Sequence, residues 1–254
     1  MRLKTLSLLC NPYNGESLRY ENNTLIGEQS KHSFPIKNGI PIFLSQNHLS
    51  WRSKWFRKFY DLVAIGYDTV VNVGNFLGIN SEGIIRREYI GKLEIKLGDK
   101  ILETAVGTAS NLFFMPPEGD YYGVDISMQM LKRAKKKLYH RKRTAELFQA
   151  NGEYLPFKDN SFDLVFQMGG LQFYSNPFRG LEEMSRVAKQ GTTIHILDEK
   201  RSTRDVLKYR YTGDQIKKGY TLSNLLQIVP RGMDNIQSKI LFDSDFYLLT
   251  FTKP

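Results

Sequence analysis

The chain has 254 residues, 41% of them apolar and 13% aromatic, and 36 Lys and Arg against 26 Asp and Glu give a formal net charge of +10. This composition excludes a disordered or collagen-like chain and suits one medium domain with a small appendage. A single cysteine, Cys10, excludes an internal disulfide framework and any cysteine cluster around a metal, and no apolar run reaches the about 18 residues that span a bilayer. The reading is a cytoplasmic protein, and its basic balance points to anionic partners.

Residues 1–49 carry short β-prone runs, LSLLC, SLRY, TLIG and IPIFL, punctuated by Asn, Gly and Pro, with no helical pattern. The character changes at 50. WRSKWFRKFYDLVAIGYDTVVNVGNFL mixes aromatics and cations at helical spacing. Ser81 stands as the N-cap of a further helix carrying Ile84, Ile85, Tyr89, Leu93 and Ile95. From 100 the chain alternates. Strands are predicted over 100–106, 121–126, 145–150, 162–168 and 192–198. Helices are predicted over 128–139, with Leu131, Ala134 and Leu138 on one face, and over 177–188, with Leu181, Met184 and Ala188 on one face behind Pro177. The alternation predicts a parallel sheet covered on both sides. Residues 200–236 read as a polar stretch that could cap the substrate, with a short helix near 222–228. Two β-rich runs around Asp243-Ser244-Asp245 predict a closing antiparallel hairpin.

The stretch ILETAVGTASN, 101–111, runs from a predicted strand into a tight turn, a setting in which free backbone N–H groups face a ligand. Gly107 lies between Ala105 and Ala109, two positions where glycine would ease the turn; alanine costs nothing there if its φ is negative. Asp125 follows Gly107 by 18 residues, at the end of the next strand. An acid at about that distance suits the two hydroxyls of a ribose. Taken alone, Asp125 fits equally well as the acid at a helix start, with Ser127 as cap.

A longer stretch weights the first reading. ILETAVGTASN, YGVDIS, ANGEYLPFKDNSFD, GLEEMSRVAKQG and FYLLTFTKP, in that order and spacing, resemble the class I S-adenosylmethionine-dependent methyltransferases over residues 80–254, and most closely those acting on quinones, lipids and small metabolites. The resemblance implies a Rossmann-like α/β fold with a mostly parallel seven-stranded sheet and an antiparallel C-terminal strand. It implies S-adenosylmethionine as cofactor and a small or lipid-like acceptor. Glu103, Ala105 and Gly107 match the loop around the methionine part, Asp125 the ribose acid, and Ile126 the apolar neighbour on adenine. Asn151 and Gly152 match an Asp-Ala pair at the adenine edge, and Gln167 the end of the fourth strand, facing the methyl group. An Asn oxygen can still accept the adenine amino proton.

SFPIKNGIPIFL resembles the end of the zinc ribbons that accompany methyltransferases, which bind zinc through two Cys-x-x-Cys pairs. Here the first pair reads Cys10-Asn11-Pro12-Tyr13 and the second falls at Gly27 and Ser30. One thiol of four is left, and neither His32 nor His48 stands at a matching position, so the expectation is a ribbon-like segment, 1–49, held by apolar packing without zinc, ahead of the methyltransferase domain, 50–254.

On the acceptor side the candidates are Gln172, Tyr174 and Glu199, at carboxyl ends of strands. Tyr60 and Tyr67 stand in a helical region that could fold over the cofactor, and His195 reads as a core histidine. The run KRAKKKLYHRKR, 132–143, reads as a solvated helix face or as a docking patch for anionic membrane or nucleic acid. RNA or protein methylation, and a non-catalytic cofactor-binding or regulatory role, are the competing functions.

Overall fold

The computed structural model of the chain describes residues 2–45, 50, 53–54, 57, 82–199, 222–241 and 246–254. Ser81, the region of Tyr60 and Tyr67, His48, the stretch 200–221 and the Asp243–Asp245 turn lie outside the described residues.

The first sheet is a four-stranded antiparallel meander of β1 (Leu18–Glu21), β2 (Thr24–Gly27), β3 (Ser33–Lys37) and β4 (Ile40–Pro41). Its tight turns use residues that accept left-handed backbone: Asn22 and Asn23 at φ 46° and 59°, then Asn38 and Gly39 at 53° and 75°. The run LSLLC departs from the strand expected of it. Leu3–Leu8 form a 3-10 helix, closed by the Ser7 hydroxyl on the Lys4 carbonyl, before Leu9 and Cys10 make isolated bridges to Phe157 and Ser17. Leucine content alone did not distinguish a strand from this turn.

The second sheet has seven strands in the order β10-β11-β9-β8-β5-β6-β7. They are β5 (Lys100–Thr104), β6 (Asp120–Asp125), β7 (Glu146–Gln149), β8 (Leu164–Met168), β9 (Thr193–Glu199), β10 (Asp234–Ile240) and β11 (Phe246–Thr252). The five from β5 to β9 pair in parallel, and the C-terminal hairpin runs antiparallel beside β9. Strands β7 and β8 are buried along their full length, as a sheet covered on both faces requires.

Among the described residues, four helices with defined bounds accompany it: α1 (Glu82–Glu88), α2 (Met128–His140), α3 (Pro177–Val187) and α4 (Leu222–Gln227). Ser127 caps α2 through its side chain on the Met130 N–H, and Asn176 caps α3 on the Arg179 N–H. Helix α1 is shorter than the apolar spacing suggested. It ends at Glu88, and Ile90–Lys92 continue as a 3-10 turn containing Gly91, so Leu93 and Ile95 lie beyond it.

Alternation along the strands sorts the core onto two faces. Leu102, Tyr122, Phe148 and Ile196 meet Leu181, Met184 and Val187 of α3, together with Leu9, Leu25, Phe34 and Phe43 of the N-terminal segment. Ile101, Tyr121, Phe166 and Leu197 meet Leu131, Ala134 and Leu138 of α2 and Ile85 of α1. The small sheet is therefore a layer of the same core. Ile42 bridges Gln149 in parallel and the Phe43 N–H donates to the Gln149 carbonyl at 2.8 Å, which extends the β7 edge. Among the described residues no helix is long and apolar enough to cross a membrane.

Candidate functional site

Strands β5, β6, β7 and β8 end side by side, and a cleft of about 980 Å³, counting the space open to solvent, lies against their carboxyl ends. That edge of an open parallel sheet is where ligands bind. Of the residues expected to hold a cofactor, Glu103, Ala105, Gly107, Asp125, Ile126, Asn151 and Gly152 all line this cleft. Gln167 does not line it. Its side chain is fully buried near the end of β8, with the carboxamide against the Gly170 and Leu171 N–H groups of the following loop, where the Leu171 N–H donates to Asp198 Oδ2 at 2.8 Å.

The loop after β5 carries left-handed backbone at three alternate positions, Ala105 (φ 55°), Gly107 (φ 54°) and Ala109 (φ 57°). The condition under which alanine would be free of cost therefore fails. A Cβ in this region meets the following carbonyl, at about 1–2 kcal/mol per residue. The backbone keeps a glycine-type shape although two glycines are missing, and the cleft stays open. Three contacts hold the near part of the loop: Val106 N–H to the Val124 carbonyl (2.9 Å), Gly107 N–H to Asp125 Oδ2 (2.8 Å) and Ala109 N–H to the Val106 carbonyl (2.9 Å). Asp125 also takes the Ser127 N–H on Oδ1 at 2.8 Å, so one carboxylate ties the loop to the start of α2.

Charge in the cleft comes partly from residues that the sequence did not single out. Burial pushes the Glu103 carboxyl up to about 8, against the opposing pull of its hydrogen bond from Asn111 and of Arg86. Asn111 donates to Glu103 Oε1 at 2.6 Å and accepts from Arg86 Nε at 2.8 Å. Arg86, carried by α1, is buried and lines the cleft. The available signal was the pair Arg86-Arg87 directly after Ile84-Ile85, a cation inside the apolar stripe of a helix preceding the loop. Across the cleft, Asn151 Oδ1 accepts the Glu153 N–H at 3.1 Å, and Glu153 Oε1 accepts the Ser175 N–H at 2.6 Å. Ser175 shares a hydroxyl contact of 2.9 Å with Ser53, another lining residue.

The acceptor-side candidates divide. Tyr174 lines the cleft, Gln172 does not, and Glu199 ends β9 with its side chain outside the described residues. The Tyr174 ring lies between two glycines. A Cβ on Gly152 would come within 2.1 Å of its hydroxyl, and one on Gly180 within 2.3 Å of its ring. The hydroxyl is buried against Thr104 without a well-formed hydrogen bond, and burial raises its pKa. An orphaned hydroxyl costs on the order of 1–3 kcal/mol. Tyr174→Phe is therefore expected to keep turnover and to raise the melting temperature by about 2–4 °C for each kcal/mol recovered. Calorimetric melting with steady-state assay checks this, and lost turnover at unchanged stability would put the hydroxyl in the chemistry instead.

His195 and Cys10, neither of them read as catalytic in the sequence, lie elsewhere. His195 faces the Tyr89 hydroxyl, 2.7 Å from Nδ1, and burial lowers its pKa to about 4. Burial raises the Cys10 thiol to about 11, which is unsuited to a nucleophile at neutral pH. Among the described residues no three His, Cys, Asp or Glu side chains group as a metal site. Of the basic run, Lys132, Lys135 and Lys136 are exposed on α2, whereas Lys137 turns inward toward the loop.

Residues 102–196 match the protein family described as a methyltransferase domain. An uncharacterised protein of Methanocaldococcus jannaschii is 33% identical over 167 residues, 63% of this chain and 61% of that one. A demethylmenaquinone methyltransferase of Lactobacillus johnsonii is 28% identical over 152 residues, 58% of this chain and 61% of that one. The chain thus spans 61% of the length of both relatives. Among solved structures, a methyltransferase of Thermotoga maritima, described as a possible histamine N-methyltransferase, superposes with a TM-score of 0.60 at 18% identity, covering 78% of this chain and 99% of that one. At that identity the likeness shows the fold alone.

Proposed function

We propose that this chain, a class I S-adenosylmethionine-dependent methyltransferase by its match to the methyltransferase domain family, transfers a methyl group from S-adenosylmethionine to a small, quinone-like or phenol-like acceptor. The observation that carries the reading is the donor set gathered in one cleft: Arg86 and Glu103 of opposite character, the Asp125 carboxylate, and Asn151. These fit the cofactor group by group. The guanidinium suits an α-carboxylate, Glu103 an α-ammonium, and Asp125 a ribose diol. Val124, Ile126 and Met130 supply apolar surface for the flat base.

When bound, this cofactor supplies an electrophilic methyl on a positively charged sulfur that leaves as a neutral thioether. The chain's own contribution is alignment of acceptor and cofactor, which can be worth several kcal/mol without any covalent role for the protein. A phenol or enol acceptor must also lose a proton. The carboxylates lining the cleft among the described residues are Glu103, Asp125 and Glu153. With the first two assigned to the cofactor, Glu153 is the group left to take it. The quinone class comes from the Lactobacillus relative, which is described as acting on demethylmenaquinone.

The reading is tested by calorimetry with S-adenosylhomocysteine, followed by transfer of labelled methyl to a panel of demethylated quinols, phenols, phospholipids and RNA. A Kd on the order of micromolar to sub-millimolar is expected, with transfer to a quinol or phenol. No binding at millimolar ligand overturns the enzyme reading, and transfer to RNA alone overturns the acceptor class. Glu103 adds a pH signature. With its pKa near 8 it carries a proton at pH 7 in the free protein, and a bound ammonium favours the carboxylate. Binding should then release a proton below pH 8, so affinity rises with pH up to about 8 and levels off above. Binding heats measured in buffers of different ionisation enthalpy report this release, and Glu103→Gln should abolish it.

A further inference from the structure

The loop that lines the cleft is held at its near end by β6 and Asp125, and its far end meets one side chain from the basic helix. Lys137 Nζ donates to Ser110 Oγ at 2.9 Å and to Thr108 Oγ1 at 3.4 Å, and the two hydroxyls are 3.1 Å apart. The ammonium also sits 5.8 Å from the centre of the Phe113 ring. Thr108 and Ser110 both line the cleft, while Lys137 reaches them from α2, behind the loop. An ammonium has three donors and no acceptor, so both hydroxyl oxygens must accept from it. Ser110 directly precedes Asn111, the residue that links Glu103 to Arg86. Lys137 thus fixes the point where the strained loop passes into the charged part of the cleft.

We propose that Lys137 is the positioning residue of the cofactor loop: its ammonium, bonded to Ser110 and Thr108, holds Ala105 and Ala109 in left-handed backbone and keeps the loop in the shape that accepts the cofactor. The proposal rests on the cofactor reading above and adds to it a residue that touches no ligand. Its reason is conformational. An alanine released from φ near +55° falls back to negative φ, and the cradle is lost with it. Glycine occupies either sign of φ about equally, so a glycine loop would need no clamp. The other lysines of the run serve no such purpose: Lys132, Lys136 and Lys142 are exposed, and Lys135 donates to the Asn38 carbonyl in the small sheet.

The test is a double-mutant cycle between the clamp and the strain. Lys137→Met keeps the aliphatic stem and removes the donors. It is made in the native chain and in the Ala105→Gly/Ala109→Gly variant, with Lys137→Arg as a variant that retains a donor. S-adenosylhomocysteine affinity is measured by calorimetry, exchange of the 105–111 backbone amides is measured on the ligand-free proteins, and a melt is recorded for each. Lys137→Met is expected to weaken binding about tenfold in the native loop and about twofold or less in the glycine loop. Loop exchange should rise in the native background with little change in the melt, and Lys137→Arg should restore most of the affinity. Equal losses in both backgrounds, unchanged affinity, or a lowered melt with no change in binding or loop exchange each overturn the proposal. If the native protein binds no S-adenosylhomocysteine, the cofactor reading fails by itself, and amide exchange in the free proteins still decides whether Lys137 holds the loop.

Discussion

Asp125→Ala is expected to weaken S-adenosylhomocysteine binding by at least about a hundredfold, more than any other single change in the cleft. The carboxylate has two duties. Oδ2 accepts the Gly107 N–H and Oδ1 the Ser127 N–H, both at 2.8 Å, so it joins the turn after β5 to the start of α2. The same oxygens are the acceptors proposed for the ribose diol. Hydrogen bonds to a charged group are each worth about 1.5–3 kcal/mol, and losing two converts to roughly two orders of magnitude or more in Kd. Removing the side chain also releases Gly107 beside two strained alanines, which adds to the loss. Asp125→Asn separates the two duties. Its single oxygen can keep one backbone N–H but not both, so affinity should fall by less than for alanine while the melt hardly moves. Calorimetric titration with parallel melts checks both variants. Alanine affinity within tenfold of the native value would remove Asp125 from the cofactor site.

The dual use of Asp125 also shows how far the sequence could be read. Its distance from Gly107 was legible because only a short 3-10 turn, Asn111–Phe114, and the strand β6 lie between the two. The sheet was legible because buried parallel strands such as LVFQM and ELFQ are apolar runs between helices with one apolar stripe. Local backbone sign was not legible. Nothing in the composition of ETAVGTASN reveals that Ala105 and Ala109 stand at positive φ, because the force that holds them there comes from Val124, Asp125 and, as proposed, Lys137, 15 or more residues away. Arg86 and Asn111 were missed for a related reason. Each looks ordinary in its own segment, a helical arginine and a residue after a turn, and they acquire meaning only when α1 and the loop meet over Glu103. Gln167 differs from both: its place near the end of β8 was read from the sequence, while its side chain is fully buried and outside the lining of the cleft.

Glu16→Gln is expected to loosen the N-terminal sheet at neutral pH and to remove a part of its stability that acid would otherwise take away. In the ribbon-like reading the missing thiol pair falls at Gly27 and Ser30, and the structure puts a carboxylate against that turn. Glu16 Oε2 accepts the Gln29 and Ser30 N–H groups at 2.8 Å each; Oε1 accepts Asn11 Nδ2 at 2.8 Å, Asn14 Nδ2 at 3.0 Å and the Ser30 hydroxyl. One side chain thereby links the Cys10–Tyr13 turn to the Gly27–Ser30 turn, a cross-link made of hydrogen bonds. Gly27 makes the approach possible, since a Cβ there would lie 2.3 Å from Glu16 Oε1. The hydrogen bonds from Ser30, side chain first and then backbone, hold the carboxyl well below its ordinary 4.5. The sign follows from linkage. The folded state binds the proton less readily than the unfolded state, so the contribution is complete above about pH 4.5 and is lost as pH falls toward the depressed folded value. Glutamine offers one oxygen and turns an NH2 toward donors, so its penalty is present at neutral pH and does not grow on acidification. The melting temperatures of wild type and Glu16→Gln should therefore differ most near pH 7 and converge below about pH 4, and a chelator should leave the wild-type melt unchanged. A melt that falls on chelation would put a metal between the turns. A constant difference at every pH would mean that the carboxylate charge is not what joins them. The consequence reaches the cleft, because the small sheet passes through Phe43 to Gln149, two residues before Asn151. A loosened Glu16 cross-link should therefore also raise amide exchange at the end of β7.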